Sequence, residues 1–352
     1  MADGAREPAR RVITQRDVAE AAGVDRATVS RALDPKKRPM ISPETVDRVL
    51  AAAERMGYRT NVLARGLRTS RSGIIGLEIP TDIHHSASLF DKPLSTFVAS
   101  IEERLRNVGL TLLVTFSSPA DAATRSDRFT RSGMIDGLIR LQARGVPTTA
   151  GAGEVPVVTV GLDPRLPYDF VVDEGRGIEI AVEHLHRLGH RRIAYIGEPP
   201  SLPRGERHLR AYLDSVERLG IASDGQQALI AHFDERHPAS APKAVQAILA
   251  RGVAPTALLF TDDKAAMGGY GVLRAQRVQV PQQMSVIGWR DNDAGLFLVP
   301  PLTTIALPMR AAAFAATDAL LARVDGAAAA EPGRVFDPYL IQRESTAPPA
   351  AP

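Results

Sequence analysis

The chain has 352 residues, 44% apolar and 24% charged, which is enough for two or three domains rather than one core. It has no cysteine, which removes disulfides and thiolate metal sites, and no apolar run long enough for a membrane span. Its charge of +3 is uneven. Residues 1–70 hold 14 Arg or Lys against 9 Asp or Glu, and the remainder 29 against 31, so a polyanion is the expected partner of the amino-terminal end.

The opening MADGAREPARR carries charge with no apolar stretch behind it. Residues 1–11 therefore read as a disordered extension rather than a signal peptide, which fits a cytoplasmic protein. Thr14 and Asp17 have the spacing of a capping box, opening a helix whose apolar face is Val18, Ala19 and Ala22. Gly23 supplies a tight turn, and Asp25 caps a second helix with Val29, Ala32 and Leu33 inward and Arg26, Ala27, Ser30 and Arg31 outward. Ser42-Pro43 starts a third helix, with Val46, Val49, Leu50 and Ala53 on one stripe, ending near Gly57.

Two helices across a glycine turn, buttressed by a third, predict a helix-turn-helix over residues 12–59 whose second helix fits the DNA major groove. Arginine bonds guanine bidentately, the Ala27 methyl suits a thymine methyl, and Ser30 serves bases or phosphate. Thr14 and Thr28 complete the contacts expected from the helices. Lys36 and Lys37, in the loop DPKKRPM, are expected on phosphates, adding affinity and salt dependence without sequence information. A helical hairpin used only for packing shows the same spacing. The wording decides further: "VITQRDVAEAAGVDRATVSRAL" and "SPETVDRVLAAAERMGYRTNVLARGLRT" closely resemble the DNA-binding headpiece of the LacI/GalR family of bacterial transcriptional regulators.

That resemblance implies that NVLARGLRT, within a linker at 60–71, is a hinge helix that folds on DNA. Leu67 is then the minor-groove wedge, with Asn61, Ala64 and Arg65 around it. Thr60 stands where the family usually has proline. Gly66 costs the helix about 1 kcal/mol relative to alanine, so the hinge is expected to be more disordered off DNA.

From residue 73 the pattern changes. GIIGLEIP, LTLLVTF, GLIRL, VPVVTVG, RIAYIG, ALLFT and SVIGW read as buried strands, and 97–107, 176–188, 207–219 and 263–276 as helices. The alternation predicts parallel doubly wound sheets in two lobes, with a ligand crevice beyond the carboxyl ends of the strands. EHLHRLGHRRIAYIG, VPQQMSVIGW and PPLTTI resemble the two-lobed, periplasmic-binding-protein-like core of the same family. The resemblance implies an effector-binding and dimerisation core over 72–345. Lobe one is expected over about 72–170 and 300–325, lobe two over about 171–299 and 326–345, with 346–352 a disordered tail. It is weakest over DIHHSASLFDKPLST (82–96), which borders the expected cleft.

The cleft departs from the family. Its Asn-Asp pair is Asp262-Asp263 here, its Gly-Phe-Asp-Asp turn is Gly288-Trp289-Arg290-Asp291, and its arginine before the lobe-two helix is replaced by His208, with Arg207 beside it. Two readings stand open. Arg290, with Arg207 or His208, binds an anionic or strongly accepting ligand group; or Asp262 and Arg290 pair with each other and only shape the pocket. Phe170 and Phe233 occupy places where the family has pocket aromatics, and serve equally as core. No histidine grouping has metal spacing, and no phosphate-binding loop or nucleophile elbow occurs.

The sequence thus predicts a cytoplasmic, nucleoid-associated homodimer that binds a pseudo-palindromic operator in double-stranded DNA. It acts as a repressor under a small-molecule effector, a sugar or an anionic sugar derivative, with no catalysis, cofactor, metal or membrane. The alternatives are a solute-binding protein, or a sugar- or nucleotide-transforming α/β enzyme, joined to a DNA-binding headpiece.

Overall fold

The computed structural model describes residues 13–34, 37–58, 71–80, 91–117, 130–142, 155–221, 226–234, 237, 239–328 and 333–350. The chain divides into two units, residues 1–70 and 71–352.

In the first unit, α1 (Gln15–Ala22), α2 (Arg26–Leu33) and α3 (Pro43–Arg55) enclose a small core that includes Val18, Ala22, Val29, Ala32, Val49 and Ala52. Local chemistry fixes each start. The Thr14 N–H donates to Asp17 at 2.7 Å and the Asp17 N–H donates back to the Thr14 hydroxyl at 3.4 Å, closing the expected box. Asp25 accepts the Thr28 N–H at 2.7 Å, and these Thr28 bonds hold its carboxyl below the usual range. Gly23, at φ +64°, ends α1 in a left-handed turn that costs glycine nothing. Arg48 of α3 donates to the Ala22 carbonyl at 3.0 Å and so ties the third helix to the turn.

The second unit holds two six-stranded sheets. β1 (Ile74–Pro80), β2 (Thr111–Ser117), β3 (Gly137–Gln142), β4 (Val157–Gly161) and β5 (Phe170–Val172) form the first. β6 (Ile193–Gly197), β7 (Ile230–His232), β8 (Ala257–Phe260), β9 (Ser285–Trp289) and β10 (Thr303–Ala306) form the second. Each set of five is parallel with the same order, β2-β1-β3-β4-β5 and β7-β6-β8-β9-β10. The sixth strands are β11 (Arg334–Phe336), parallel to β5, and β12 (Tyr339–Ile341), antiparallel to β10. In such sheets the crevice opens where the order reverses, at the carboxyl ends of β1 and β3 and of β6 and β8.

Helices cover these sheets because their strands are apolar on both faces. α4 (Lys92–Asn107) and α9 (Met309–Val324) pack together in lobe one, joining Phe97, Ile101, Leu105, Ala312, Ala316 and Leu320 to the strand core. α5 (Glu174–Arg187), α6 (Pro203–Arg218), α7 (Ser240–Ala250) and α8 (Asp263–Ala275) belong to lobe two.

The lobe boundaries require correction. Residues 303–306, expected in lobe one, are β10 of the second sheet. Residues 334–336, expected in lobe two, are β11 of the first, and lobe one's own β5 runs to Val172. The chain therefore crosses between lobes three times, after β5, β10 and β11. Strands of three or four residues show no period, so only tertiary pairing assigns them.

The tail is a second correction. Far from being free, residues 345–347 clasp lobe two. Ser345 donates to the Val286 carbonyl at 2.6 Å, Ala347 N–H donates to Ser285 at 3.0 Å, and His184 and Thr346 meet at 3.0 Å. The expected helices also lengthen at their starts: α4 begins at Lys92 rather than 97 and α6 at Pro203 rather than 207, each with proline in its first turn.

Candidate functional site

On α2, Arg26, Ala27 and Arg31 are exposed as expected and Val29 and Ala32 are buried, while Thr28, Ser30 and Leu33 are half-buried. Thr14 is exposed, with its hydroxyl donated to Asp17. Lys37 is exposed beside Asp34 at 3.8 Å. A surface salt bridge of this kind contributes little. Lys36, Asn61, Ala64, Arg65 and Leu67 lie outside the described residues, as does the hinge.

In the second unit the carboxyl ends of β8 and β9 place Asp262 and Arg290 together. Arg290 Nη1 donates to Asp262 Oδ2 at 3.2 Å and to Asp91 Oδ2 at 2.9 Å. Asp91 begins α4 in lobe one, so this bridge spans the lobes. All three side chains are at least nine-tenths buried. Burial pushes Asp91 upward, and burial with the neighbouring Asp91 charge pushes Asp262 up to about 6. Asp262 also caps α8, accepting the Lys264 N–H at 2.7 Å.

The turn carrying Arg290 is held from beneath by Asp263. Its carboxylate accepts the N–H groups of Trp289 at 2.7 Å and Asn292 at 2.6 Å, and the Thr304 hydroxyl at 2.8 Å. Arg290 has φ +90° and Asp291 φ +50°, left-handed values that non-glycine residues hold only under such constraint. Lys92 then adds a second tie across the lobes, its Nζ 2.8 Å from both Asp291 and Asp293.

Arg207 and His208 converge on a different carboxylate. Arg207 donates to Glu174 Oε2 at 2.7 Å, and His208 Nε2 lies 3.4 Å from the same oxygen. Burial alone would raise Glu174, but its partnership with His208 and the Arg207 and Arg204 cations outweigh this and hold it well below the usual range. Burial keeps the His208 imidazole low despite that carboxylate. Arg207 also reaches toward Asp163 of lobe one at 3.8 Å. Among the described residues no hydrogen bond joins this cluster to that of Arg290.

The aromatic candidates pack inward. Phe170 lies in the lobe-one core, 6.3 Å from the Phe336 ring, and Phe233 in a lobe-two core. Trp289 is fully buried, its ring 4.9 Å from His208 and pressed on Gly177. The second of the two sequence readings, Asp262 paired with Arg290, is therefore the geometry found. Asp91 and Glu174 were missed. The only signal for Asp91 was its place before Lys92-Pro93 at a helix start, and nothing in sequence marks the burial of Glu174.

Residues 14–61 match the model of bacterial regulatory proteins of the lacI family, and residues 182–346 that of a periplasmic binding protein-like domain. The chain is 31% identical over 346 residues to the HTH-type transcriptional repressor CytR of Escherichia coli, covering 95% of this chain and 96% of that protein. It belongs to the LacI family. The HTH-type transcriptional regulator AscG of Escherichia coli is similar too, at 29% identity over 96% of this chain and 99% of its own length. Among solved structures, the lac repressor dimer bound to operator and the anti-inducer ONPF covers 96% of this chain and all of its own, with TM-score 0.80 and 25% identity. A complex of the transcriptional regulator CelR with cellobiose covers 95% and 99%, with TM-score 0.64 and 25% identity. This LacI-family chain is thus a sequence-specific DNA-binding regulator with an effector-binding core. No helix among the described residues is long and apolar enough to cross a membrane.

Proposed function

We propose that this LacI-family regulator is a cytoplasmic repressor, associated with the nucleoid, that binds a pseudo-palindromic operator as a homodimer. The observation that carries the reading is the exposed Arg26, Ala27 and Arg31 edge of α2 within a headpiece matched to the family over residues 14–61. Each headpiece reads one half-site, and Leu67 with Asn61, Ala64 and Arg65 serves the centre of the site. The apolar stretch Leu296, Phe297 and Val299 on lobe two supports the dimer, with Phe297 83% and Val299 90% exposed in the single chain.

The effector is a sugar or sugar derivative held between the lobes, a reading supported by the cellobiose complex of a similar regulator. Arg290 and Arg207, which in sequence pointed to an anionic derivative, are each held by two carboxylates. An uncharged carbohydrate is therefore the better-supported form. Binding one lobe geometry more tightly than another shifts the headpieces between operator-competent and incompetent arrangements, and the coupling is reciprocal.

Selection of sheared genomic DNA by the purified chain, followed by sequencing, tests the reading. A pseudo-palindrome with a flexible central step is expected, and the neighbouring genes then nominate carbohydrates for titration. Diffuse enrichment without added ligand and again with a fixed panel of mono- and disaccharides overturns it.

A further inference from the structure

The ion cluster at Arg290 is more than pocket lining, because it joins parts of the chain that share no sheet. Asp91 opens α4 over the first sheet; Asp262 and Arg290 follow β8 and β9 of the second. One guanidinium answers both carboxylates, at 2.9 and 3.2 Å, with exposures of the three side chains between 1% and 4%. While the lobes stay together, removing either partner leaves a buried charge without its counter-ion, which is costly; drawing the lobes apart at this point gives up the Asp91–Arg290 bond. The neighbouring contacts run the same way between the lobes. The Lys92 N–H donates to Asn292 Oδ1 at 3.3 Å, and Lys92 Nζ sits between Asp291 and Asp293.

The backbone is committed to this arrangement. Arg290 and Asp291 both stand at positive φ, and the Arg290 N–H donates to the Ile305 carbonyl at 2.7 Å. Asp263 fixes the residues on either side of them through Trp289 and Asn292. A strained turn that is clamped from below and ends in a buried cross-lobe bridge is a built feature rather than a chance surface pair.

We propose that Arg290 is a resident occupant of the cleft: through Asp91 and Asp262 it latches the two lobes together with no small molecule bound, and an effector acts by displacing it. The last clause rests on the effector reading above; the latch itself does not. It makes Arg290 and Asp91 determinants of what the cleft accepts. A ligand that enters has to offer hydrogen-bond donors to two carboxylates, which hydroxyl groups do and phosphate or carboxylate groups do not.

The absence of native cysteine allows a direct test on the full chain. Cysteines at exposed Asn107 in lobe one and exposed Gln276 in lobe two carry a donor and acceptor dye, mixed with excess unlabelled chain so that transfer reports one molecule. Arg290→Met is expected to lower transfer efficiency without added ligand, and Asp91→Asn to lower it in the same direction. The double variant is expected to go no further than the larger single effect, because both break one bridge. Arg176→Met, which breaks ion pairs inside lobe two alone, serves as the control and leaves transfer unchanged. If Arg290→Met fails to fold by circular dichroism, Asp91→Asn decides, since it keeps Arg290 paired with Asp262. Native transfer in folded Asp91→Asn and Arg290→Met, or fully additive losses, overturns the latch. Release of operator by carbohydrate, measured on the unaltered chain, answers the effector reading separately.

Discussion

A buried carboxylate is held low where its cationic partners outweigh burial and raised where they do not, and Glu174 and Asp262 show the two cases in one lobe. Glu174, beside His208, Arg207 and Arg204, is held low and stays ionised. Asp262, buried and next to Asp91, is raised to about 6. A raised acid binds more protons folded than unfolded between its ordinary value near 4 and about 6, so its ionisation lowers stability as pH rises through that window. Asp262→Asn keeps an Asn cap on α8 and escapes this loss. Its stability relative to the unaltered core should therefore improve from pH 4 to pH 6 and then level off. Denaturant melts across that range measure it, and a flat difference contradicts the raised value. In the headpiece, Arg31→Ala should cost about 1–3 kcal/mol on operator and little on random DNA, whereas Lys37→Ala should weaken both alike. Equal losses on both DNAs for Arg31→Ala would remove it from base reading.

At the scale of elements, close packing sets the tolerances. Gly177 lies in α5 where it passes over Trp289, and a Cβ there would come within 2.5 Å of the indole ring. Gly177→Ala should therefore destabilise the core by about 1–3 kcal/mol, read from its unfolding midpoint. An unchanged midpoint would mean that Trp289 has room to move. The alanine-rich α9 is the counterpart case. Ala312, Ala313 and Ala316 are fully buried between α4 and the first sheet, and a Cβ on Gly137 beneath would come within 3.0 Å of Leu320 and Val324. Small residues permit that approach, and they are also why α9 shows no amphipathic stripe in sequence. Lobe two's α7 does carry a stripe, Ala241, Ala244, Val245 and Ile248, whereas the three-residue β7 is too brief to show a period.

For the whole molecule, dimerisation is the property that exposed apolar residues bear on most directly. Phe297→Asp should shift the chain from dimer to monomer in sedimentation velocity and weaken operator binding severalfold, since two linked headpieces gain from effective concentration. A dimer of unchanged strength would move the interface elsewhere. The core beneath should be untouched, because Phe297 is 83% exposed in the single chain.

The sequence by itself determined the headpiece, the strand-helix alternation and the family. Those signals are local: a cap such as Thr14-Asp17, a glycine turn at Gly23, an apolar stripe on α2, and strands long enough to show their character. It also singled out Asp262 and Arg290, and Arg207 and His208, which the fold brings together as two separate charged clusters, while Phe170, Phe233 and Trp289 of the same reading pack into the cores. Only the tertiary structure decided which charges meet. Asp91 stands 199 residues from Arg290 and Glu174 stands 33 from Arg207, and no local pattern encodes such pairings. The exchange of β10 and β11 between lobes and the clasp of Ser345 to Ala347 on β9 belong to the same class. Each depends on hydrogen bonds closed between distant segments, whose partners become visible only once the sheets have formed.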